Sequence, residues 1–163
     1  MLPAGTAWDG ASVHAVVTGG ATRSESVRAG LAAITDDVDI VVVHDAARPL
    51  ATPELFELVI DAVRAGADGA VPGLAVADTL KRVDGDRIVD TLARDHLVAV
   101  QTPQAFRAAT LLAAHASGDD ATDDAALVEA AGGKVVVVAG DPRNLKVTTV
   151  ADLALAASLL ELR

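Results

Sequence analysis

Residues 39–49 read DIVVVHDAARP, and this stretch decides the fold of a chain of 163 residues. It contains a continuous apolar run at 40–43, which is typical of a strand buried on both faces of a parallel sheet. The run stops at His44 and Asp45, and a turn containing Pro49 follows. The stretch therefore predicts a buried strand whose carboxyl end carries polar side chains.

The segments around this strand alternate between helical and strand patterns. Apolar residues recur at helical spacing over 24–34, and again after Thr52, where a proline stands at the first helical position. The other predicted elements are strands at 13–17, 69–72, 97–100 and 134–138, helices at 106–115, 123–131 and 150–162, and an extended segment at 144–148. Such alternation predicts an α/β fold in a single domain, 1–163, with a mostly parallel sheet covered by helices on both faces.

Residues 77–96 interrupt the alternation. Within this stretch, residues 81–89 predict two short strands around a turn that contains Gly85. A lone hairpin is only marginally stable unless it packs against something. We therefore expect a projecting β arm that packs on a partner subunit in a homodimer.

The composition excludes several classes of function. The net charge is -10 and aromatic residues make up 2% of the chain, which argues against a nucleic-acid-binding protein. A few well-placed cations can still bind a small anion. The chain has no cysteine, which excludes disulfides, thiolate metal sites and a cysteine nucleophile. With no apolar run near ~20 residues and no signal-peptide pattern, we expect no membrane association and a cytoplasmic location.

Ligands of open α/β sheets bind beyond the carboxyl ends of the strands. The segments in that position are 19–26, 44–49, 77–81, 101–104 and 140–148. These are also the segments richest in polar and charged residues, so we expect the functional site there.

The first of these segments permits two interpretations. A glycine turn at Gly19 and Gly20 resembles the start of a short-chain dehydrogenase, but Arg23 and Glu25 stand where further glycines are needed, and the chain has no tyrosine for a Tyr-Lys relay. A simple tight turn explains the glycines alone. Arg23 and Ser26 lie three residues apart on one helical face, where both can reach an anion at the helix N-terminus.

Several segments together resemble one family. In order, they are GGATRSESV at 19–27, VHDAARP at 43–49, DTLK at 78–81, QTPQ at 101–104, TDDA at 122–125 and NLKVT at 144–148. From residue 13 onward the chain resembles the 2-C-methyl-D-erythritol 4-phosphate cytidylyltransferases. The resemblance implies a Rossmann-like nucleotidyltransferase sheet. It also implies a Mg²⁺-dependent attack of a methylerythritol phosphate oxygen on the α-phosphorus of CTP, with pyrophosphate leaving.

The resemblance also implies roles for individual residues. The positions that match nucleotide contacts are Gly20, Arg23, Ser26 and Ala46. Those that match the methylerythritol phosphate site are Thr79, Arg94, Thr102 and Thr122, with Thr79 and Arg94 on an arm that grips the substrate phosphate in the partner subunit. Those that match the reaction centre are Asp45, Arg48 and Lys146. No residue is assigned as a metal ligand.

These residue types suit nucleotidyl transfer, which depends on positioning and on neutralising negative charge. Arg48 and Arg94 can bind phosphate bidentately, and Lys146 supplies a compact charge. Threonine hydroxyls can donate to or accept from a polyol. Asp45 can accept from a substrate hydroxyl or lie close to the metal.

Each assignment has a structural alternative. Asp45 can cap a turn, Thr122 can be a helix N-cap, Thr102 can bind backbone, and Arg94 can form a surface salt bridge. His44 is assigned a structural role. The joint position after strand ends favours function for Asp45, Arg48, Thr102 and Lys146.

Members of the resembled family begin with a strand and a glycine-rich loop whose Arg and Lys wrap the CTP phosphates, and residues 1–12 do not match that segment. A fragment, a misplaced start or a degenerate copy would each explain this. We expect weak CTP binding and little turnover from the chain. The alternative function is a remnant that dimerises or binds a small phosphate without turnover. A third is a related nucleotidyltransferase with another acceptor or base, and Thr79, Arg94 and Lys146 argue against a changed acceptor.

Overall fold

A computed structural model describes residues 1–3, 5–35 and 37–161. The helices are α1 (Arg23–Ala32), α2 (Pro53–Arg64), α3 (Ala108–His115), α4 (Asp124–Ala130) and α5 (Val150–Glu161). The strands are β1 (Ile40–Val43), β2 (Gly69–Ala75), β3 (Leu80–Asp84), β4 (Arg87–Leu92), β5 (Val98–Val100), β6 (Gln104–Arg107) and β7 (Val135–Ala139). The α/β class is confirmed. The last residue of the helix predicted at 150–162 lies outside the described residues.

The main sheet is mixed, which corrects the expectation of a mostly parallel one. Strand β2 pairs parallel with β7 but antiparallel with β5 and β6, and β1 pairs antiparallel with β6. β5 and β6 lie end to end against β2, as one strand interrupted at 101–103. An apolar run records that a strand is buried but not the direction in which it runs, so the sequence could not supply the strand directions.

Helices cover both faces of this sheet, as predicted. Alternate residues of β1 point to opposite faces. Ile40 and Val42 pack with α2, and Val41 and Val43 pack with the cluster that contains the buried residues of α1, α3 and α4. Phe106 is fully buried and belongs to the cluster with α1, α3 and α4. A Cβ on Gly69 would lie 2.6 Å from the Phe106 ring, so β2 needs a glycine at this position.

Two predicted elements differ in the structure. Residues 13–17 form no strand, since the backbone pairing there is an isolated parallel bridge between Leu2 and Thr18. The helix predicted from 106 begins at Ala108, because Phe106 belongs to β6 and pairs with β1 on one side and β2 on the other. Both errors arise because strand formation depends on neighbouring strands and not on local propensity alone.

The β arm forms as predicted. β3 and β4 make a separate antiparallel pair, and Gly85 lies between them with a φ of +60°, which glycine adopts without strain. Val83 and Ile88 are cross-strand partners, and each is 59% exposed. The arm's role in dimerisation stays a prediction. Among the described residues, no helix has both the length and the apolarity needed to cross a bilayer.

Candidate functional site

A cavity of about 200 Å³ lies beyond the carboxyl ends of β1 and β7. Its lining consists of Arg23, Asp45, Arg48, Val100, Gln101, Thr102, Gln104, Thr122, Asp123 and Lys146. Three of these side chains are cationic and two are carboxylates. The cavity therefore collects positive groups in a chain whose net charge is -10.

Asp45 stands between two of the cations. Its carboxylate lies 3.1 Å from the ammonium of Lys146 and 4.0 Å from Nε of Arg23. The backbone carbonyl of Asp45, not its side chain, closes the following turn by accepting from the Arg48 amide at 2.9 Å. The turn-cap alternative for this carboxylate is therefore wrong, and the side chain is directed to the cavity cations.

Arg48 joins the loop after β1 to the loop after β7. Its Nη1 donates to the carbonyl of Asn144 at 2.9 Å, and the amide of Val147 donates to the carbonyl of Ala47 at 2.7 Å. Burial lowers the pKa of the Arg48 guanidinium, and the charge of Asp45 opposes that shift. The two loops thus hold Arg48 and Lys146 on the same cavity.

Buried amide side chains fix the loop that carries Lys146. Gln101 donates to the carbonyls of Asp141 and Asn144 at 3.0 and 3.1 Å and accepts from the Asp141 amide at 3.1 Å. Asn144 is fully buried and donates to the Thr102 carbonyl at 2.8 Å. A Cβ on Gly140 would lie 2.8 Å from Oε1 of Gln101. The role of these amides was not predicted from the sequence, although Gln101 and Asn144 stand within its motifs.

Thr102 is buried beside His44. Its hydroxyl oxygen accepts from the Asp45 amide at 3.0 Å and lies 3.1 Å from Nδ1 of His44. The other ring nitrogen of His44, Nε2, lies 3.1 Å from the carbonyl of Arg48. The predicted backbone contact of Thr102 is confirmed, and the same residue lines the cavity.

The guanidinium of Arg23 is paired with the buried carboxylate of Asp124. Its Nη2 donates to Asp124 at 2.7 Å, and His115 contacts the other oxygen of that carboxylate at 2.9 Å. Asp124 is fully buried and His115 nearly so. Neither residue could be recognised from the sequence, because Asp124 pairs with Arg23 about a hundred positions away and His115 is linked to Arg23 only through Asp124.

The other predicted nucleotide contacts lie outside the cavity lining. The Ser26 hydroxyl accepts from the Gly20 amide and donates to the Thr22 carbonyl, each at 3.0 Å. Ser26 thus closes the glycine turn, while Arg23 pairs with Asp124 and lines the cavity. Ala46 is exposed in the turn after β1. Nucleotide contacts by Gly20, Ser26 and Ala46 stay predictions.

Among the predicted threonine and arm residues, some line the cavity and others do not. Thr122 lines the cavity, and the N-cap of α4 is Asp123, which accepts from the Ala126 amide at 3.0 Å. The N-cap alternative for Thr122 is therefore wrong. Thr79 and Arg94 lie on the arm, away from the cavity, and Arg94 donates to the Ala77 carbonyl. Their predicted role toward a partner subunit is neither confirmed nor contradicted by this geometry.

Comparison with known proteins gives one consistent result. The family model described as 2-C-methyl-D-erythritol 4-phosphate cytidylyltransferase matches residues 5–162. A protein of that name from Frankia casuarinae is 53% identical over 147 residues, which are 89% of this chain and 55% of the relative. A bifunctional enzyme IspD/IspF from Clavibacter michiganensis is 55% identical over 148 residues, which are 90% of this chain and 36% of the relative.

Solved structures give the same match. The crystal structure of 2-C-methyl-D-erythritol 4-phosphate cytidylyltransferase from Thermus thermophilus superposes with a TM-score of 0.81 at 40% identity, covering 89% of this chain and 72% of that one. The Rossmann-like nucleotidyltransferase fold is thereby confirmed. The chain spans 55% of the length of the Frankia relative and 36% of that of the Clavibacter enzyme.

Proposed function

Because this chain belongs to the 2-C-methyl-D-erythritol 4-phosphate cytidylyltransferase family, we propose that it transfers the cytidylyl group of CTP to methylerythritol phosphate. A phosphate oxygen of methylerythritol phosphate attacks the α-phosphorus of CTP. The bond from that phosphorus to the bridging oxygen of the β-phosphate breaks, and pyrophosphate leaves. The product is 4-diphosphocytidyl-2-C-methyl-D-erythritol, an intermediate of non-mevalonate isoprenoid precursor synthesis.

The observation that carries this proposal is the convergence of Arg23, Arg48 and Lys146 on one cavity of a strongly acidic chain. Nucleotidyl transfer spreads negative charge over phosphate oxygens, and preorganised cations stabilise it without needing a nucleophilic side chain. Arg48 and Lys146 are held by two mutually bonded loops, so their charges are fixed before the substrates bind.

The cavity also has groups for the polyol part of the acceptor. Thr102 and Thr122 line it beside the cations, and their hydroxyls match the alcohol groups of methylerythritol. Asp45 orients Lys146 and offers a carboxylate oxygen to a substrate hydroxyl. In this proposal Arg48 and Lys146 bind phosphate, Arg23 lies on the nucleotide side, and the threonines bind the acceptor.

The Mg²⁺ that the family implies is part of the same proposal. Within residues 1–3, 5–35 and 37–161, no three His, Asp or Glu side chains are grouped so as to hold a metal ion. The Asp45 carboxylate already faces Lys146 and Arg23. These residues do not fit a dedicated Mg²⁺ site, whereas substrate phosphate oxygens are ligands that Mg²⁺ prefers. We therefore propose that Mg²⁺ enters with CTP, and we assign it no protein ligand.

A homodimer also belongs to the proposal. What supports it is the exposed apolar pair Val83 and Ile88 on an arm that makes a sheet of its own. Thr79 and Arg94, near the base of the arm, are proposed to reach the substrate phosphate in the partner subunit. A cytoplasmic location is proposed as well, since both substrates are charged metabolites that do not cross a bilayer unaided.

The test is pyrophosphate release from the purified chain with CTP, methylerythritol phosphate and Mg²⁺, each omitted in turn. Lys146→Met removes a proposed phosphate-binding charge just after β7. Lys134→Met removes a lysine just before the same strand, away from the cavity, and is the matched control. Since the sequence predicts weak CTP binding and little turnover, we expect slow release that requires both substrates. Lys146→Met should reduce this release at least a hundredfold, and Lys134→Met should leave it within twofold of the unchanged chain.

Release without methylerythritol phosphate, or an equal effect of the two lysine changes, would contradict the proposal. Binding of methylerythritol phosphate by a folded chain without any pyrophosphate release would favour the alternative, a protein that binds a small phosphate without turnover.

A further inference from the structure

We propose that His44 is a positioning residue that fixes the direction of the Thr102 hydroxyl, so that Thr102 offers the cavity a hydrogen-bond acceptor and no donor. This inference deepens the proposed function and rests on it for the identity of the ligand. From the sequence alone, only a structural role was predicted for His44.

The tautomer of His44 follows from the hydrogen-bond partner of its Nε2. Nε2 of His44 lies 3.1 Å from the backbone carbonyl of Arg48. A carbonyl oxygen can only accept a hydrogen bond, so the hydrogen of the imidazole is on Nε2. In the neutral ring the other nitrogen, Nδ1, is then an acceptor. Burial lowers the pKa of His44, which favours this neutral form.

The tautomer of His44 sets the direction of the Thr102 hydroxyl. Its oxygen lies 3.1 Å from Nδ1 of His44, so the hydroxyl hydrogen is donated to that nitrogen. The same oxygen accepts from the Asp45 amide at 3.0 Å. A hydroxyl has one hydrogen and two lone pairs. The hydrogen and one lone pair are therefore engaged inside the protein, and a single lone pair remains.

The remaining lone pair decides which ligand groups Thr102 can bind. Thr102 lines the cavity, and its free lone pair can accept from a ligand O–H but cannot donate to a phosphate oxygen. An anionic oxygen placed against that lone pair would be repelled. Thr102 thus selects an alcohol group of the acceptor and leaves the phosphate to Arg48 and Lys146. A threonine free to rotate would not make this distinction.

The imidazole is also held in place by packing. The rings of His44 and Phe56 lie 5.1 Å apart between centroids at an interplanar angle of 58°. Tilted aromatic pairs of this kind are attractive. His44→Phe can keep this ring contact while removing both ring hydrogen bonds, and Phe56→Leu removes the ring contact while leaving the hydrogen bonds.

The tautomer can be measured directly, without substrate. Long-range ¹H–¹⁵N correlation spectra of the ¹⁵N-labelled chain at pH 7 distinguish protonated from unprotonated ring nitrogens, and the signals lost in His44→Phe identify the residue. We expect a hydrogen on Nε2 and none on Nδ1. A hydrogen on Nδ1, in the other tautomer or in the imidazolium, would overturn the inference whether or not the chain is an enzyme.

The effect on the ligand is measured by calorimetric titration of methylerythritol phosphate into the full chain, His44→Phe, Thr102→Val and the double variant. We expect His44→Phe to weaken binding about five- to tenfold and to add nothing once Thr102 is valine. Phe56→Leu should weaken binding less than twofold. Additive losses, or an equal loss in Phe56→Leu, would mean that His44 acts only through the fold. If the unchanged chain binds no methylerythritol phosphate, the proposed function fails, and the spectra alone decide the hydroxyl direction.

Discussion

At the scale of single residues, Asp45 is the counter-charge shared by Lys146 and Arg23. The Lys146 side chain is 48% exposed and that of Asp45 is 22% exposed, so the ion pair is in contact with water. Such pairs contribute about 0–1 kcal/mol to folding. The geometry therefore serves the cavity more than the stability of the fold.

We predict that Asp45→Asn weakens binding of methylerythritol phosphate at least tenfold, because Lys146 loses the partner that orients it. The free energy of unfolding should fall by about 1 kcal/mol or less. Calorimetric titration and urea unfolding measure the two effects. Asp61→Asn, which removes an exposed carboxylate paired with Arg64 on α2, is the control and should leave binding unchanged. Equal binding by Asp45→Asn and the unchanged chain would contradict the proposal that Asp45 orients Lys146.

The buried carboxylate of Asp124 should behave in the opposite way. Asp124→Ala would leave the buried His115 and the partly buried Arg23 without their common partner. Removing one member of a buried charged pair typically costs about 3–5 kcal/mol. We predict a loss of that size in urea unfolding, against about 0.5 kcal/mol or less for the control Asp61→Ala, whose side chain is 68% exposed. Similar losses in the two variants would contradict the anchoring role of Asp124.

The sequence could identify the residues that follow strand ends but not those that support them. Asp45, Arg48 and Lys146 were assigned through the family resemblance, their position after strand ends favoured a functional role, and all three line the cavity. Asp124 and His115 were missed, because nothing local distinguishes a buried carboxylate from an exposed one. His44 was given a structural role, since its contact with Thr102 crosses 58 positions of the chain.

At the scale of elements, helices and the arm followed from local pattern, and the sheet did not. The strand is interrupted at 101–103, between β5 and β6, and this interruption brings Thr102 to the cavity. Local pattern predicted the strand before the break but assigned Phe106 to a helix, because the two strands flanking β6 come from distant parts of the chain. Strand order and direction depend on such long-range pairs.

The stability of the fold should depend on pH through Asp152, at the start of α5. Asp152 accepts from the amide and hydroxyl of Thr148 and from the amide of Thr149, and these bonds lower its pKa from 3.8 to about 2. A carboxyl group with a depressed pKa stabilises the fold fully above its ordinary pKa, and this contribution is lost as the pH falls through the lowered value. The loss should therefore occur between about pH 4 and pH 2.

Carboxyl ¹³C titration by NMR tests this assignment. Asp152 should titrate near the lowered value in the unchanged chain, and Thr148→Val should move its pKa upward, because the hydroxyl bond is lost. Titration of Asp152 at 3.8 or above in the unchanged chain would show that the cap at α5 does not form in solution.

At the scale of the whole molecule, the arm exposes apolar surface that a second copy would cover. Val83 and Ile88 face the same side of the hairpin. We predict that the chain sediments as a dimer, and that Val83→Asp combined with Ile88→Asp makes it a monomer by burying charge at the interface. Leu112→Asp alters an apolar residue of α3 that is 51% exposed, and it should leave the dimer intact. A monomeric unchanged chain would remove the proposed roles of Thr79 and Arg94 toward a partner.

The central claim is that the cavity of Arg23, Arg48 and Lys146 joins CTP to methylerythritol phosphate. The most direct measurement is a ³¹P NMR spectrum of the two substrates incubated with Mg²⁺ and the folded chain. We expect slow loss of the phosphomonoester signal, a pair of coupled diphosphate signals from the product, and free pyrophosphate in equal amount. Unchanged CTP and phosphomonoester signals beside a sample with a folded-protein spectrum would contradict it.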